Sequence, residues 1–207
     1  HHLADALDGL DLLEDEGVRL GRPKLVTVPA TEMPEPEDAP IKRDALVAEA
    51  IRSLAEAVAA VNASGDFPLI LGGDHTAMCG HVLGHALRHP QGIGLALIAD
   101  ARLDLATPAP PPGAEGAGGA HEMVVAAALR MIGPEHALGR IMAKSSVLAA
   151  QTTIAGVRAR VPDPVRANER KAGPIEVWGM ERLELDGEAA YRSMLNRHLA
   201  TGPIALS

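Results

Sequence analysis

Aromatic side chains are almost missing: the 207 residues include one Phe, one Trp and one Tyr. So few rings leave little surface for stacking bases or sugars, and the core has to be assembled from Ala, Leu, Val, Ile and Met. Cysteine occurs once, at Cys79, which excludes an intrachain disulfide framework and a cysteine-based zinc site. Positive charge is in deficit, with 19 Lys and Arg against 27 Asp and Glu and a formal net charge of −8. A surface of that sign repels phosphate backbones, so neither nucleic acid nor an anionic membrane is the expected partner. No apolar run reaches the length of a membrane span. The opening His1-His2-Leu3-Ala4-Asp5 lacks a signal peptide's basic-then-apolar layout. These absences point to a reducing, cytoplasmic setting.

What is present is an ordinary globular balance, 47% apolar and 22% charged residues, expected to fold as one domain over residues 1–207. Apolar residues recur at helical spacing from Leu3 to Leu20 and again from Ile41 to Asn62, where Leu46, Ala50, Ile51, Leu54, Val58 and Val61 form one stripe. Ser64-Gly65-Asp66 marks the end of the second helix. Leu25–Val28, Pro68–Leu71, Ile93–Ile98, Thr152–Val157, Pro174–Trp178 and Pro203–Ser207 read as strands. The Pro68 and Ile93 runs are apolar without alternation, as strands buried on both faces of a parallel sheet are. Helices are expected over Thr76–His89, Glu122–Met131 and Asp186–Leu199. The alternation predicts a three-layer α/β/α sandwich with a mostly parallel sheet, and in such sheets chemistry gathers outside the carboxyl ends of the strands.

Two strand ends carry the relevant side chains. One is Gly72-Gly73-Asp74-His75-Thr76, and the other is Ala99-Asp100-Ala101-Arg102-Leu103-Asp104. Histidine and carboxylates converging on one rim suit Mn, Zn or Fe. The same residues also fit a plainer role, since an Asp before a turn is often a helix cap and Asp–Arg pairs are often salt bridges.

Leu71-Gly72-Gly73-Asp74-His75-Thr76 resembles the glycine-glycine-aspartate-histidine motif of the arginase family, the ureohydrolases that include agmatinase and formimidoylglutamase. Asp100 to Asp104, followed by Thr107-Pro108, is similar to that family's Asp-Ala-His-x-Asp motif. Ile154–Arg158 and Gly202–Ser207 resemble its later strands. The resemblance implies two Mn²⁺ ions sharing a hydroxide that attacks a guanidino or amidino carbon, a poor electrophile that needs a strong nucleophile at neutral pH. Carried over, His75, Asp100 and Asp104 match ligands of the first metal, with Asp100 bridging, and His121 matches a proton-shuttling histidine at the mouth of the site. The resemblance also implies a trimer or hexamer, or a subunit beside an active paralogue.

Three departures modify that expectation. Arg102 stands where the family has a metal-binding histidine, and a guanidinium has no lone pair to donate. Turned inward, its charge about 4 Å from another would cost about 4 kcal/mol at an effective dielectric near 20, twice that against a dication; turned outward, it only removes a ligand. The family's Asp-x-Asp motif would follow Ser207, and its first strand would precede His1, so both ends are expected to be clipped. The stretch Gly116–Glu122 lacks the Ser and Asn that hold an amino-acid substrate in arginases, and Asp163-Pro164 matches a substrate-binding pair only with shifted spacing.

The chain therefore reads as an impaired ureohydrolase or a pseudoenzyme in which Arg102 pairs with Asp100 and Asp104. A non-catalytic oligomeric partner subunit, an inactive α/β domain and a nucleotide-binding domain using Gly113–Gly119 remain open alternatives. His81, His85 and His89, with no carboxylate among them, are expected to form a solvent-facing stripe, Cys79 to be buried and inert, and Trp178 to pack at its strand end. At most one weakly held divalent ion and negligible urea release are expected. Elemental analysis of the purified protein checks this, and two Mn²⁺ per chain would contradict it.

Overall fold

The structure is a computed structural model that describes residues 21, 24, 26, 39–72, 74–98, 102–108, 119–158 and 163–206, without the side chains of 39–44. The expected helix Leu3–Leu20, the core of the strand Leu25–Val28 and most of the glycine-rich loop lie outside these residues. In chain order the described elements are α1 (Ala39–Ala63), α2 (Ala77–Arg88), β1 (Ile93–Ile98), a 3₁₀ turn (Ala120–Glu122) and α3 (Val124–Ala128). They continue with α4 (Ala137–Met142), β2 (Val147–Val157), α5 (Asp163–Ala172), β3 (Glu176–Gly179), α6 (Met180–Thr201) and β4 (Ile204–Leu206).

The four strands form one sheet in the order β3-β2-β1-β4, and each neighbouring pair is parallel. The centre of β1 shows why its sequence does not alternate. Ile93, Leu95 and Leu97 face a core shared with α1 to α4, while Ala96 faces a second core with Trp178, Leu183, Ala190 and Met194 beneath α6. Both faces are covered, so every position is apolar. Small Ala96 and Ala155 on the second face admit the larger Trp178 and Met194, which compensates for the scarcity of aromatic groups. Arg182 stacks over the Trp178 ring at 3.8 Å, and Gly187, at φ +48°, kinks α6.

Helices α1 and α2 pack closely because glycines lie at their crossing. A Cβ on Gly80 would come within 2.8 Å of the Leu54 side chain, and one on Gly84 within 2.5 Å of Val58 Cβ. Ile51, Ala55 and Val58 supply the buried stripe of α1, which then ends at Gly65, in the left-handed region at φ +83°. No described helix is long and apolar enough to cross a membrane.

Several sequence expectations are corrected. Pro68–Leu71 forms no strand among the described residues; it runs as irregular chain, and Phe67, Leu69 and Leu71 are exposed. A lone apolar run needs a neighbour to supply its hydrogen bonds, and no described strand pairs with it. The helix expected from Glu122 to Met131 breaks into a 3₁₀ turn and the five residues of α3. Helices α4 and α5 have no counterpart among the elements that the sequence pattern predicts.

The histidines of α2 do not face solvent. His81 and His85 are buried, their Nε2 atoms 2.9 Å apart, and the Asn62 amide lies 3.3 Å from His85 Nδ1. The rings satisfy each other in a helix–helix interface, which removes the need for carboxylates. Burial, with the His85 ring adding to it, pushes His81 down to about 4. Burial, then His89, pushes His85 down as well. The unfolded chain takes up protons that the folded chain refuses, so the stability is complete above about pH 6.5 and is lost as pH falls toward 4. For His81 alone the loss is about 2 kcal/mol at pH 5. The denaturant midpoint is expected to drop between about pH 7.5 and 5, and to drop much less in the His81→Leu, His85→Leu double variant; equal wild-type midpoints at both pH values would contradict this.

Candidate metal centre

The turn after Leu71 presents His75. Asp74 does what its position before a helix suggests: its Oδ1 accepts from the Thr76 N–H at 2.8 Å and from the Thr76 hydroxyl, tying the turn that leads into α2. His75 is thereby left to point away from the helix. Its Nδ1 lies 2.5 Å from Oδ2 of Asp104, a residue 29 positions on in the chain. An ionised carboxylate only accepts, so the ring nitrogen carries the proton and donates.

Asp104 belongs to the loop that follows β1. It is buried, at 6% exposure, and holds φ +45°, in the left-handed region that a non-glycine residue rarely adopts. Its surroundings fix that conformation. The Asp104 carbonyl accepts from Val125 N at 3.1 Å and Ala126 N at 3.2 Å, and Ala106 N donates to Glu122 O at 3.0 Å. Leu103 and Leu105 on either side are buried in the core. From α5, the Asn168 amide donates to Leu105 O at 2.8 Å and to Thr107 Oγ1 at 3.3 Å.

The remaining expected residues divide. His121 sits exposed in the 3₁₀ turn that hydrogen-bonds the Asp104 loop through Glu122. Arg102 is more than half exposed and forms an ion pair with Glu122, so its guanidinium is directed outward. Asp100 lies outside the described residues. Cys79 is fully buried, and burial, with the charges of Asp74 and Asp104 adding, pushes its thiol up, which leaves it inert.

The donor set at His75 and Asp104 is one imidazole nitrogen and one carboxylate in direct contact, a chemistry that fits Mn²⁺ and similar cations. A cation bound there would take the place of the shared proton. Among the described residues no group of three or more His, Cys, Asp or Glu converges. Sequence reasoning missed Asn168 and the role of Glu122. Glu122 adjoins His121 in the chain, but its pairing with Arg102 and its carbonyl's hold on Ala106 arise only in the folded loop, as does the reach of Asn168.

Comparison with known proteins identifies the fold and the family. Human Arginase-1 is 40% identical over 76 residues, which are 35% of this chain and 23% of that protein. The crystal structure of arginase from Bacillus cereus superposes with a TM-score of 0.74 at 25% identity, over 98% of this chain and 65% of that one. Arginase from Bacillus subtilis gives 0.72 at 21% identity, over 95% and 63%. The chain thus spans less than two thirds of the length of each of these relatives. A family model described as Arginase family matches residues 14–207, so that the α/β sandwich, its parallel sheet and the His75–Asp104 corner are those of a chain that belongs to the arginase family.

Proposed function

We propose that this chain carries the metal-binding corner of an arginase-type hydrolase acting on a guanidino or amidino compound, with a weakened second metal position. The observation that supports it most directly is the approach of His75 Nδ1 to Asp104 Oδ2 across 29 residues. An imidazole and a buried carboxylate, held by a loop conformation that costs free energy, are what a cation site needs and what a plain helix cap does not. His75 and Asp104 would hold the ion, with Asp100 as the bridging carboxylate. When bound, Mn²⁺ supplies a water acidified enough to attack a weak electrophile. His121, exposed on the neighbouring turn, is placed to exchange protons with solvent at the mouth.

Arg102 supports the impairment. Its guanidinium pairs with Glu122, and it has no lone pair to offer where the family has a metal-binding histidine. In this reading the chain binds one ion weakly and turns over little or no substrate. It does so as a cytoplasmic homo-oligomer, trimer or hexamer, or beside an active paralogue. The buried free thiol of Cys79 suits that compartment.

Manganese titration followed by electron paramagnetic resonance tests the reading. Asp104→Asn is expected to weaken Mn²⁺ binding at least tenfold with unchanged circular dichroism, and Arg102→His to strengthen it by a similar factor. Wild-type affinity in Asp104→Asn would overturn the assignment.

A further inference from the structure

Helix α5 has one buried residue, and it is polar: Asn168, at 9% exposure. The rest of the helix is strongly charged and touches the core only through the partly buried Val165 and Ala172. A buried amide is costly unless its hydrogen bonds are met, and this one spends both N–H groups on a single target. One goes to the carbonyl of Leu105 at 2.8 Å and the other to the hydroxyl of Thr107 at 3.3 Å, across 63 and 61 residues. A carbonyl oxygen only accepts, so the amide nitrogen must be the atom facing Leu105, and the orientation of the group is settled.

The target is the loop that carries Asp104. That loop holds a strained residue, Asp104 at φ +45°, next to a fully buried one, Leu105. A strained conformation persists only where its surroundings over-determine it. The α3 amides fix the loop at Asp104 O, the 3₁₀ turn fixes it at Ala106 N, and Asn168 fixes it at Leu105 O, the carbonyl that follows Asp104. Without that amide a buried carbonyl is left unpaired, and the Leu105–Ala106 peptide, one residue on from Asp104, is held only at its N–H by Glu122 O. The carboxylate that meets His75 would move with it.

We infer that Asn168 is a positioning residue, locking the Asp104 loop so that the carboxylate meets His75. For metal uptake the inference rests on the reading proposed above; for the His75–Asp104 contact it stands on geometry alone. Asn168→Asp keeps the shape of the side chain and removes both donors, and Thr107→Val removes the weaker contact only. Thr153→Val is the control. It breaks a buried bond to His198 and a partly buried one to Arg197, against α6 and away from the loop, and serves as a stability loss of a comparable kind.

The readouts are the ring-nitrogen resonances of His75 in the metal-free full chain and the Mn²⁺ affinity. Asn168→Asp is expected to shift the His75 resonances and to weaken Mn²⁺ binding at least tenfold. Thr107→Val is expected to do the same to a smaller degree, and Thr153→Val to lower the melting temperature while leaving both readouts alone. The inference is overturned if Asn168→Asp leaves both at wild-type values, if Thr153→Val changes them equally, or, should Asn168→Asp not fold, if Thr107→Val leaves the resonances unmoved. A wild-type chain that takes up no Mn²⁺ would defeat the metal reading, and the His75 resonances would still decide the role of Asn168.

Discussion

One contact between an imidazole and a carboxylate, 2.5 Å long, joins the turn that enters α2 to the loop that leaves β1, segments distant in sequence, and the hydrogen bonds around both serve to hold it. On one side, Asp74 caps the turn so that His75 is free to point inward. On the other, Asp104 is kept in a conformation that costs free energy by hydrogen bonds from α3 and by the burial of Leu103 and Leu105. The cost is modest, about 1–2 kcal/mol for a left-handed residue, and two buried leucines exceed it easily. An acid placed in this way has given up hydration. The ring N–H of His75 is the donor that makes such burial tolerable.

Parallel topology explains one side of this meeting: loops leave such a sheet at the carboxyl ends of its strands, and Asp104 lies in the loop after β1. His75 reaches it from the irregular chain that leads into α2, so the two side chains meet without any local signal that they should. The opposite face of the sheet is sealed by α6 with Trp178 and Met194. Arg102 shows how a single replacement acts in such a setting. Its guanidinium is more than half exposed and pairs with Glu122, so the fold tolerates the charge at this position.

How much of this was legible in the sequence follows from the range of the forces involved. The strand Ile93–Ile98 is found where its unbroken apolar run put it, because burial on both faces leaves no choice of residue. Helix α1 follows its apolar stripe, and its end follows Gly65. The histidine and the acid at the rim were legible as motifs, since glycine turns and strand ends are local features. The burial of His81 and His85 was not, because two imidazoles that satisfy each other leave no complementary charge in the sequence. Pro68–Leu71 has the composition of a strand and lacks a described neighbour to pair with, and pairing is not a local property. Helix α5 and its Asn168 were illegible for a related reason: the helix is mostly polar, and its one inward residue matters only through a carbonyl 63 positions away.

The central claim is that His75 and Asp104 hold a divalent cation between them. A crystal of the full chain grown with saturating Mn²⁺, with diffraction measured at the manganese absorption edge, tests it most directly. The account predicts an anomalous peak within bonding distance of His75 Nδ1 and the Asp104 carboxylate, with the two atoms moved apart to admit it. A map with no peak there, and the hydrogen bond between them intact, would contradict it.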